Sequence, residues 1–247
     1  VPFIVAGKVI APDISAISLQ LIAQEVWPPS ESELLGEWNL RWAGAGERSD
    51  SVRVGGDSGI ELAAAIDYAR AWYHNRGSRA LLQVPSPWLS DELAALGCQP
   101  VRRVVMMTAP TTELAIVTAQ ARPGDLTIEL AQTASAAWTE LAAHSPIAAA
   151  DSYTAYATAT LGGATVGIGR ATLAKGWCGI TSIATAPNWQ RQGIAQAVTA
   201  ALTEWAAKAG VSQCFLQVLE ENEPARALYA GMGFATHHHY AYWQPMP

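Results

Sequence analysis

Residues 179–209 join a buried strand to a long amphipathic helix through one short turn, Thr185-Ala-Pro-Asn-Trp-Gln190-Arg-Gln-Gly193-Ile-Ala195. In the helix, Ile194, Ala197, Val198, Ala201, Leu202, Trp205 and Ala206 recur at spacings of 3, 4 and 7, and Gly210 ends the run. Such a turn presents backbone N–H groups without partners at the positive end of a helix dipole, which suits a diphosphate. Gly193 and Ala195 leave room for a phosphate to approach the backbone, and Gln190 and Arg191 add side-chain donors. A purely structural tight turn satisfies the same pattern, so this segment alone leaves both readings open.

The elements around it read as a mixed α/β chain. Residues 59–76 carry Ile60, Ala63, Ala64, Ile66, Ala69, Trp72 and Tyr73 at helical spacing, with Gly77 as a stop. Residues 38–42, 51–54, 79–84 and 101–108 read as strands, and 90–96 as a short helix with Ser90 as its N-cap. Residues 108–124 thin out around Pro110, Pro123 and Gly124, which suggests a connection between two units. Beyond it, strands are expected at 126–131, 213–219 and 234–243, helices at 135–143 and 224–231, and a hairpin of 153–161 with 165–173 around Gly162-Gly163. Leu82-Gln83-Val84 and Leu216-Gln217-Val218 each follow a long helix, a faint internal echo that points to two related units.

Composition narrows the class. At roughly 150 residues per domain, 247 residues allow one large domain or two small ones. Half the residues are hydrophobic and 15% charged, so a core is affordable and disorder is excluded as the dominant state. The net charge of −6 and the lack of any basic run argue against a nucleic-acid binder. No apolar run reaches the roughly 20 residues of a membrane helix, since Glu140, His144 and Pro146 break the Ala-rich stretch at 134–150. Residues 1–13 show no secretory signal pattern. Cys98, Cys178 and Cys214 fit no zinc spacing and cannot all pair, so no metal is expected and a reducing, cytoplasmic setting is.

A second motif decides between the readings of the turn. Phe215-Leu-Gln-Val-Leu-Glu-Glu-Asn222-Glu-Pro-Ala225-Arg-Ala-Leu228-Tyr229-Ala-Gly-Met-Gly233-Phe234 follows the helix. Here the chain resembles the GNAT superfamily of N-acetyltransferases. Its acyl-CoA turn, Gln/Arg-x-x-Gly-x-Gly/Ala, is matched by Gln190, Gly193 and Ala195. Its downstream pattern is matched by Asn222, Ala225, Leu228, Tyr229, Gly233 and Phe234. The resemblance covers about residues 125–247 and implies a mixed, mainly antiparallel sheet flanked by helices. A shorter likeness at Trp38-Asn-Leu-Arg41, Arg48 and Ser51-Val52 implies a degenerate related domain at 1–115 before a catalytic domain at 124–247. Residues 55–59 lack the turn register, so no coenzyme is expected in the first half.

The resemblance further implies acetyl-CoA as co-substrate and direct attack of a primary amine, of a small molecule or a peptide, on the thioester. Ile183, Ala184 and Thr185 would pair with the pantetheine amides as an added strand, and a backbone N–H near Ile183 would hold the thioester oxygen. Gln190, Arg191, Gln192, Gly193, Ile194, Ala195 and Gln196 would wrap the diphosphate. Asn222 would bond to the pantetheine arm or to the helix of Tyr229. Tyr229 would protonate the leaving thiolate, a role that suits a phenol of pKa near 10. Glu220 and Glu221 are the nearest candidates for the base, and on a continuing strand only one of them faces the cleft. A transferase for a longer acyl-CoA, and a non-catalytic acyl-CoA sensor, are the competing readings. Oligomeric state is left open between monomer and homodimer.

Other conspicuous residues carry less. His237-His238-His239 leads into Tyr240-Ala-Tyr242-Trp243 and reads as strand, with structural or substrate-pocket histidines favoured over a metal pair. Trp72 and Trp205 sit at core-facing helix positions, whereas Trp189 either covers the cofactor or shields its loop. Arg41 and Arg48 either reach an acceptor cleft or pair with local acids, and Cys178 lacks the neighbours of a catalytic thiol.

Overall fold

The computed structural model describes residues 4–5, 8–9, 14–44, 46–112, 124–142 and 153–246. Most of the expected connection at 108–124, the end of the Ala-rich stretch and most of the first 13 residues therefore lie outside the described residues. In chain order the elements are β1 (Ile4–Val5), β2 (Lys8–Val9), α1 (Ala16–Val26), β3 (Glu31–Leu35), β4 (Trp38–Trp42), β5 (Val52–Val54), α2 (Leu62–His74), β6 (Leu82–Pro85), α3 (Ser90–Ala95) and β7 (Cys98–Pro110). Then come β8 (Thr127–Ala131), α4 (Ala136–Ala142), β9 (Thr154–Leu161), β10 (Ala164–Ala174), β11 (Trp177–Thr185), α5 (Ile194–Lys208), β12 (Gln213–Leu219), α6 (Glu223–Gly231) and β13 (Ala235–Pro245). This is an α+β fold with mixed, mainly antiparallel strand pairing.

Contacts divide the chain into two compact units that interleave in sequence. The smaller is Ala16–Met106 with Leu219–Glu221 and His237–Pro247; the larger is Val1–Ser15, Met107–Val218 and Asn222–Thr236. The final strand thus belongs with the first half of the chain, where Trp243 and Tyr242 pair with Leu82 and Gln83 of β6.

In the smaller unit the ladder runs β3, β4, β5, β6, β13, with only β5 and β6 parallel. Alternation sends Trp38, Leu40, Val52, Val54, Leu82 and Val84 to one face, where Ala65, Ile66, Ala69, Trp72 and Tyr73 of α2 complete an apolar core. Each large side chain buried there contributes about 1.5–3 kcal/mol. Two elements of this unit, α1 and β3, had no counterpart in the sequence pattern. β3 reads Glu-Ser-Glu-Leu-Leu and is mostly exposed, so only its pairing with β4 defines it. Ser90 is not an N-cap. Leu89 holds that position at φ 57° with no side-chain cap, and the Ser90 N–H donates instead to Pro87 O at 3.1 Å.

In the larger unit the ladder runs β8, β9, β10, β11, β12, antiparallel except for β11 with β12. The hairpin turns at Gly162 and Gly163, both with positive φ. Trp138 of α4 is fully buried; its indole N–H donates to Gly169 O at 3.1 Å and its ring meets Tyr156 edge-on at 5.1 Å. Helix α5 crosses the strands on two glycines. A Cβ on Gly167 would collide with Ile194 Cγ2, and one on Gly169 would lie 2.6–2.9 Å from Ile183, Val198 and Leu202. The two glycines therefore set how closely the start of α5 approaches β10. Thr199 and Thr203, also buried, return their hydroxyls to the carbonyls of Ala195 and Thr199 at 2.8 and 3.0 Å.

Candidate functional site

Strands β11 and β12 pair in parallel only from Trp177↔Gln213 to Ile180↔Leu216. Past Ile180, β11 continues to Thr185 with its other edge held by β10, through Ala184↔Ile168 and Thr185↔Gly167. The β10–β11 register shifts between Arg170↔Thr181 and Ile168↔Ala184, so Ser182 and Ile183 together face the single residue Gly169. Ser182 has φ 54°, and the result is a bulge, which turns the peptide groups around Ile183 out of the regular ladder. The sequence pattern carried no mark of this bulge. Its one indirect trace is the Gly167-Ile-Gly169 spacing opposite.

From Thr185 the chain makes a single 3₁₀ turn, Pro187–Trp189, and then passes Arg191 at φ 62° and Gly193 at φ 79° before α5. No side chain caps the helix at Gly193, and its hydrogen-bond ladder starts with the Ala197 N–H, which donates to Gly193 O at 2.9 Å. The amides of Ile194, Ala195 and Gln196 thus stand ahead of the ladder, where the dipole favours an anion.

They open into a cleft of about 480 Å³. One wall is Thr185, Gln190, Arg191, Gly193, Ile194, Ala195 and Gln196; the other is Asn222, Pro224, Ala225, Ala227 and Leu228. The structure therefore brings eight of the twelve residues expected at the coenzyme to one cleft, Asn222 among them. Ile183, Ala184 and Gln192 are not part of this lining; Gln192 is exposed, with its side-chain amide 3.4 Å from Asn188 O. On the α6 wall the sequence assigns a coenzyme contact to Asn222 alone; Ala225 and Leu228 enter it as members of the Asn-to-Phe pattern and Pro224 as the opening of the helix, while Ala227 carries no signal of its own. Trp189 is half-buried in the turn.

The second motif has a structural logic that the residues spell out. Asn222 is the N-cap of α6, its Oδ1 accepting the Ala225 N–H at 3.2 Å, and Pro224 sits in the first turn where no N–H is needed. At the other end the Gly233 N–H donates to Ala230 O and the Phe234 N–H to Tyr229 O, both at 3.0 Å, with Gly233 at φ 102°. That is a Schellman ending, and its apolar clasp is Tyr229 against Phe234, with ring centres 5.8 Å apart. Tyr229 is 8% exposed, the buried residue of α6, and lies outside the cleft lining.

Glu220 and Glu221 fall after the end of β12, in the turn that Asn222 closes, so strand alternation does not separate them. Glu220 Oε1 lies 3.1 Å from His239 Nδ1, and the Glu220 N–H donates to Arg103 O at 3.0 Å; Glu221 is exposed. His237 and His238 approach through their Nδ1 atoms at 2.7 Å, and His238 Nε2 is 3.3 Å from Gln20. Burial, aided by His237 and His239, pushes the His238 imidazole down to about 4. Among the described residues no three His, Cys, Asp or Glu side chains are placed to hold a metal. Burial pushes the Cys178 thiol up to about 12 and Cys214 well above its usual value, the state of an inert core cysteine. No described helix is long and apolar enough to cross a membrane.

The parted parallel strands, the uncapped helix start and the clasped helix beyond them define a GNAT-type acyltransferase fold. Residues 15–243 match the family described as "Probable histone acetyltransferase Rv0428c C-terminal", and the chain belongs to that family. A stretch of 75 residues is 36% identical to the uncharacterized N-acetyltransferase YobR of Bacillus subtilis (strain 168), covering 30% of this chain and 30% of that protein. Among solved structures, a GCN5-related N-acetyltransferase from Kribbella flavida superposes with a TM-score of 0.76 at 15% identity, over 94% of this chain and 96% of that one. A tandem GNAT protein from the clavulanic acid biosynthesis pathway gives 0.66 at 13% identity, over 93% and 88%. At such identities the likeness is one of fold.

Proposed function

We propose that this chain moves an acetyl group from acetyl-CoA to a primary amine of a small molecule or peptide by direct attack, and that residues 124–247 carry the catalytic machinery. The observation that carries this reading is the uncapped start of α5 opening into a cleft between Thr185 and Leu228. The amides of Ile194, Ala195 and Gln196, with Gln190 and Arg191, bind the diphosphate of the donor. The open edge of β11 from Thr181 to Thr185 accepts the pantetheine arm as an additional strand, and the bulge at Ser182 and Ile183 aims an N–H at the thioester oxygen. Tyr229 protonates the leaving thiolate from a helix fixed at both ends, by Asn222 and by Gly233-Phe234. Glu220, held by His239, is the residue we assign to take the proton of the amine, with Glu221 as the alternative.

The net charge of −6 favours cationic acceptors, and the family's description names histones, so the acceptor panel should contain lysine peptides beside small amines. Mass spectrometry of products from that panel with acetyl-CoA tests the reading. Acetylated amine with matching thiol release, reduced about 10²–10⁴-fold in Tyr229→Phe, is expected. Tight coenzyme binding without turnover on any amine would instead identify a sensor, and turnover confined to longer acyl donors would change the donor.

A further inference from the structure

Helix α2 of the smaller unit ends on a basic face. Arg70 and His74 are four residues apart, one helical turn, and the chain then passes Gly77 at φ 68° to reach Arg79. These three basic side chains line one cavity of about 520 Å³, together with the apolar side chains of Ala71, Ala80, Pro245 and Met246. Ala80 and Pro245 are buried, and the Met246 N–H donates to Gly97 O at 3.4 Å, which holds Met246 at the cavity. All of these residues belong to the smaller unit.

No carboxylate lines this cavity, in a chain whose net charge is −6. Among the described residues the side chains of His74 and Arg79 have no hydrogen-bond or ion-pair partner. Arg70 meets only Asp67, at 3.5 Å, and the Asp67 side chain is 75% exposed, so that ion pair is weak. The acids nearest Arg79 are engaged elsewhere. Arg79 also lines a neighbouring cavity with Glu47 and Asp50. There Glu47 is paired with Arg102 at 2.7 Å, and Asp50 accepts from Ala43 N, Gly46 N and Ser49 Oγ at 2.7, 2.8 and 3.1 Å.

A guanidinium fork grips a carboxylate or phosphate head in a two-point contact, and apolar surface beside it gains from covering a hydrocarbon body. Few convergent polar groups on a mainly apolar lining are the usual make-up of a small-molecule site. We propose that this cavity binds a small organic anion, a carboxylate or phosphate monoester with a short apolar body. The head lies between Arg79 and the Arg70–His74 pair, and the body lies against Ala71, Ala80, Pro245 and Met246. The site is no part of the coenzyme cleft of the larger unit and is tested without coenzyme, so its fate is separate from that of acetyl transfer.

The test is isothermal titration of the full chain with hexanoate, benzoate and phenyl phosphate. Hexanamide, benzamide and phenol serve as neutral analogues, and acetate and inorganic phosphate as heads without bodies, all at matched ionic strength. At least one of the three anions is expected to bind with a Kd below about 1 mM and about tenfold tighter than both its neutral analogue and its bare head. Arg79→Ala, which breaks no side-chain bond among the described residues, should weaken that binding about tenfold, whereas Arg191→Ala at the coenzyme turn should leave it unchanged. Ala71→Glu, at an exposed helix position, puts a carboxylate among the cations and should weaken binding more than Ala71→Gln does. The proposal is overturned if none of the anions binds within that limit, if neutral analogues or bare heads bind as tightly, if Arg79→Ala leaves the affinity unchanged, or if Arg191→Ala removes it.

Discussion

Gly167 couples the sheet of the larger unit to the start of α5, and replacing it with alanine is the sharpest packing test of the cleft. The added methyl meets Ile194 Cγ2, with Ala184 O at 3.5 Å and Ala159 Cβ at 3.6 Å behind it. Ile194 is 1% exposed, opens α5 and lines the cleft, and its β-branched side chain has little rotamer freedom in a helix. The methyl is therefore accommodated by moving the helix start rather than the side chain. Overpacking of this kind costs about 1–3 kcal/mol. At about 2–4 °C per kcal/mol for a chain of this size, Tm falls by about 2–12 °C. Urea unfolding of wild type, Gly167→Ala, Ile194→Ala and the double variant forms a cycle. Ile194→Ala alone costs about 2–5 kcal/mol, and removing Cγ2 relieves the clash, so the double variant should be more stable than the sum predicts by at least about 1 kcal/mol. The coenzyme KM of Gly167→Ala should rise severalfold. Additivity within about 0.5 kcal/mol together with an unchanged KM would refute the reasoning.

Asn222→Ala removes the N-cap of α6 and should cost about 0.5–2 kcal/mol in urea unfolding, with Asn222→Asp restoring most of it. His238 is held near 4 when folded against 6.5 for the ordinary imidazole. Its neutral burial therefore favours folding fully above pH 6.5 and does so less as pH falls from 6.5 toward 4; His238→Phe should flatten the loss of Tm across that window, and an unchanged slope would count against it. Arg191→Ala should raise the coenzyme KM about tenfold at low salt and by less at high salt, because an exposed cation on a diphosphate is screened.

The turn before α5 was legible in the sequence because backbone geometry there demands a particular residue type: Gly193 takes φ 79° at the helix start. The helix of Tyr229 was legible for the same reason, with Asn222 and Gly233 at its two ends. What the pattern did not reveal depends on pairing between distant strands. The Ser182–Ile183 bulge is visible only once β10 lies opposite, and β3 only once β4 does. Placing β13 beside β6 rather than with the segment that precedes it requires hydrogen bonds across most of the chain's length, for which no local residue choice is diagnostic. Arg41 stands out in the sequence as a residue for an acceptor cleft or a local acid, but its bonds to Ser51, just before β5, and to Gln83 of β6 come from segments 10 and 42 residues away and leave no local pattern.

Hydrogen–deuterium exchange of the backbone amides from Arg191 to Gln196, with and without coenzyme A, tests the central claim most directly. Strong slowing at Ile194, Ala195 and Gln196 on adding coenzyme, lost when pantetheine without its nucleotide diphosphate is used, is the predicted result. Unchanged exchange at those three amides under saturating coenzyme would contradict it.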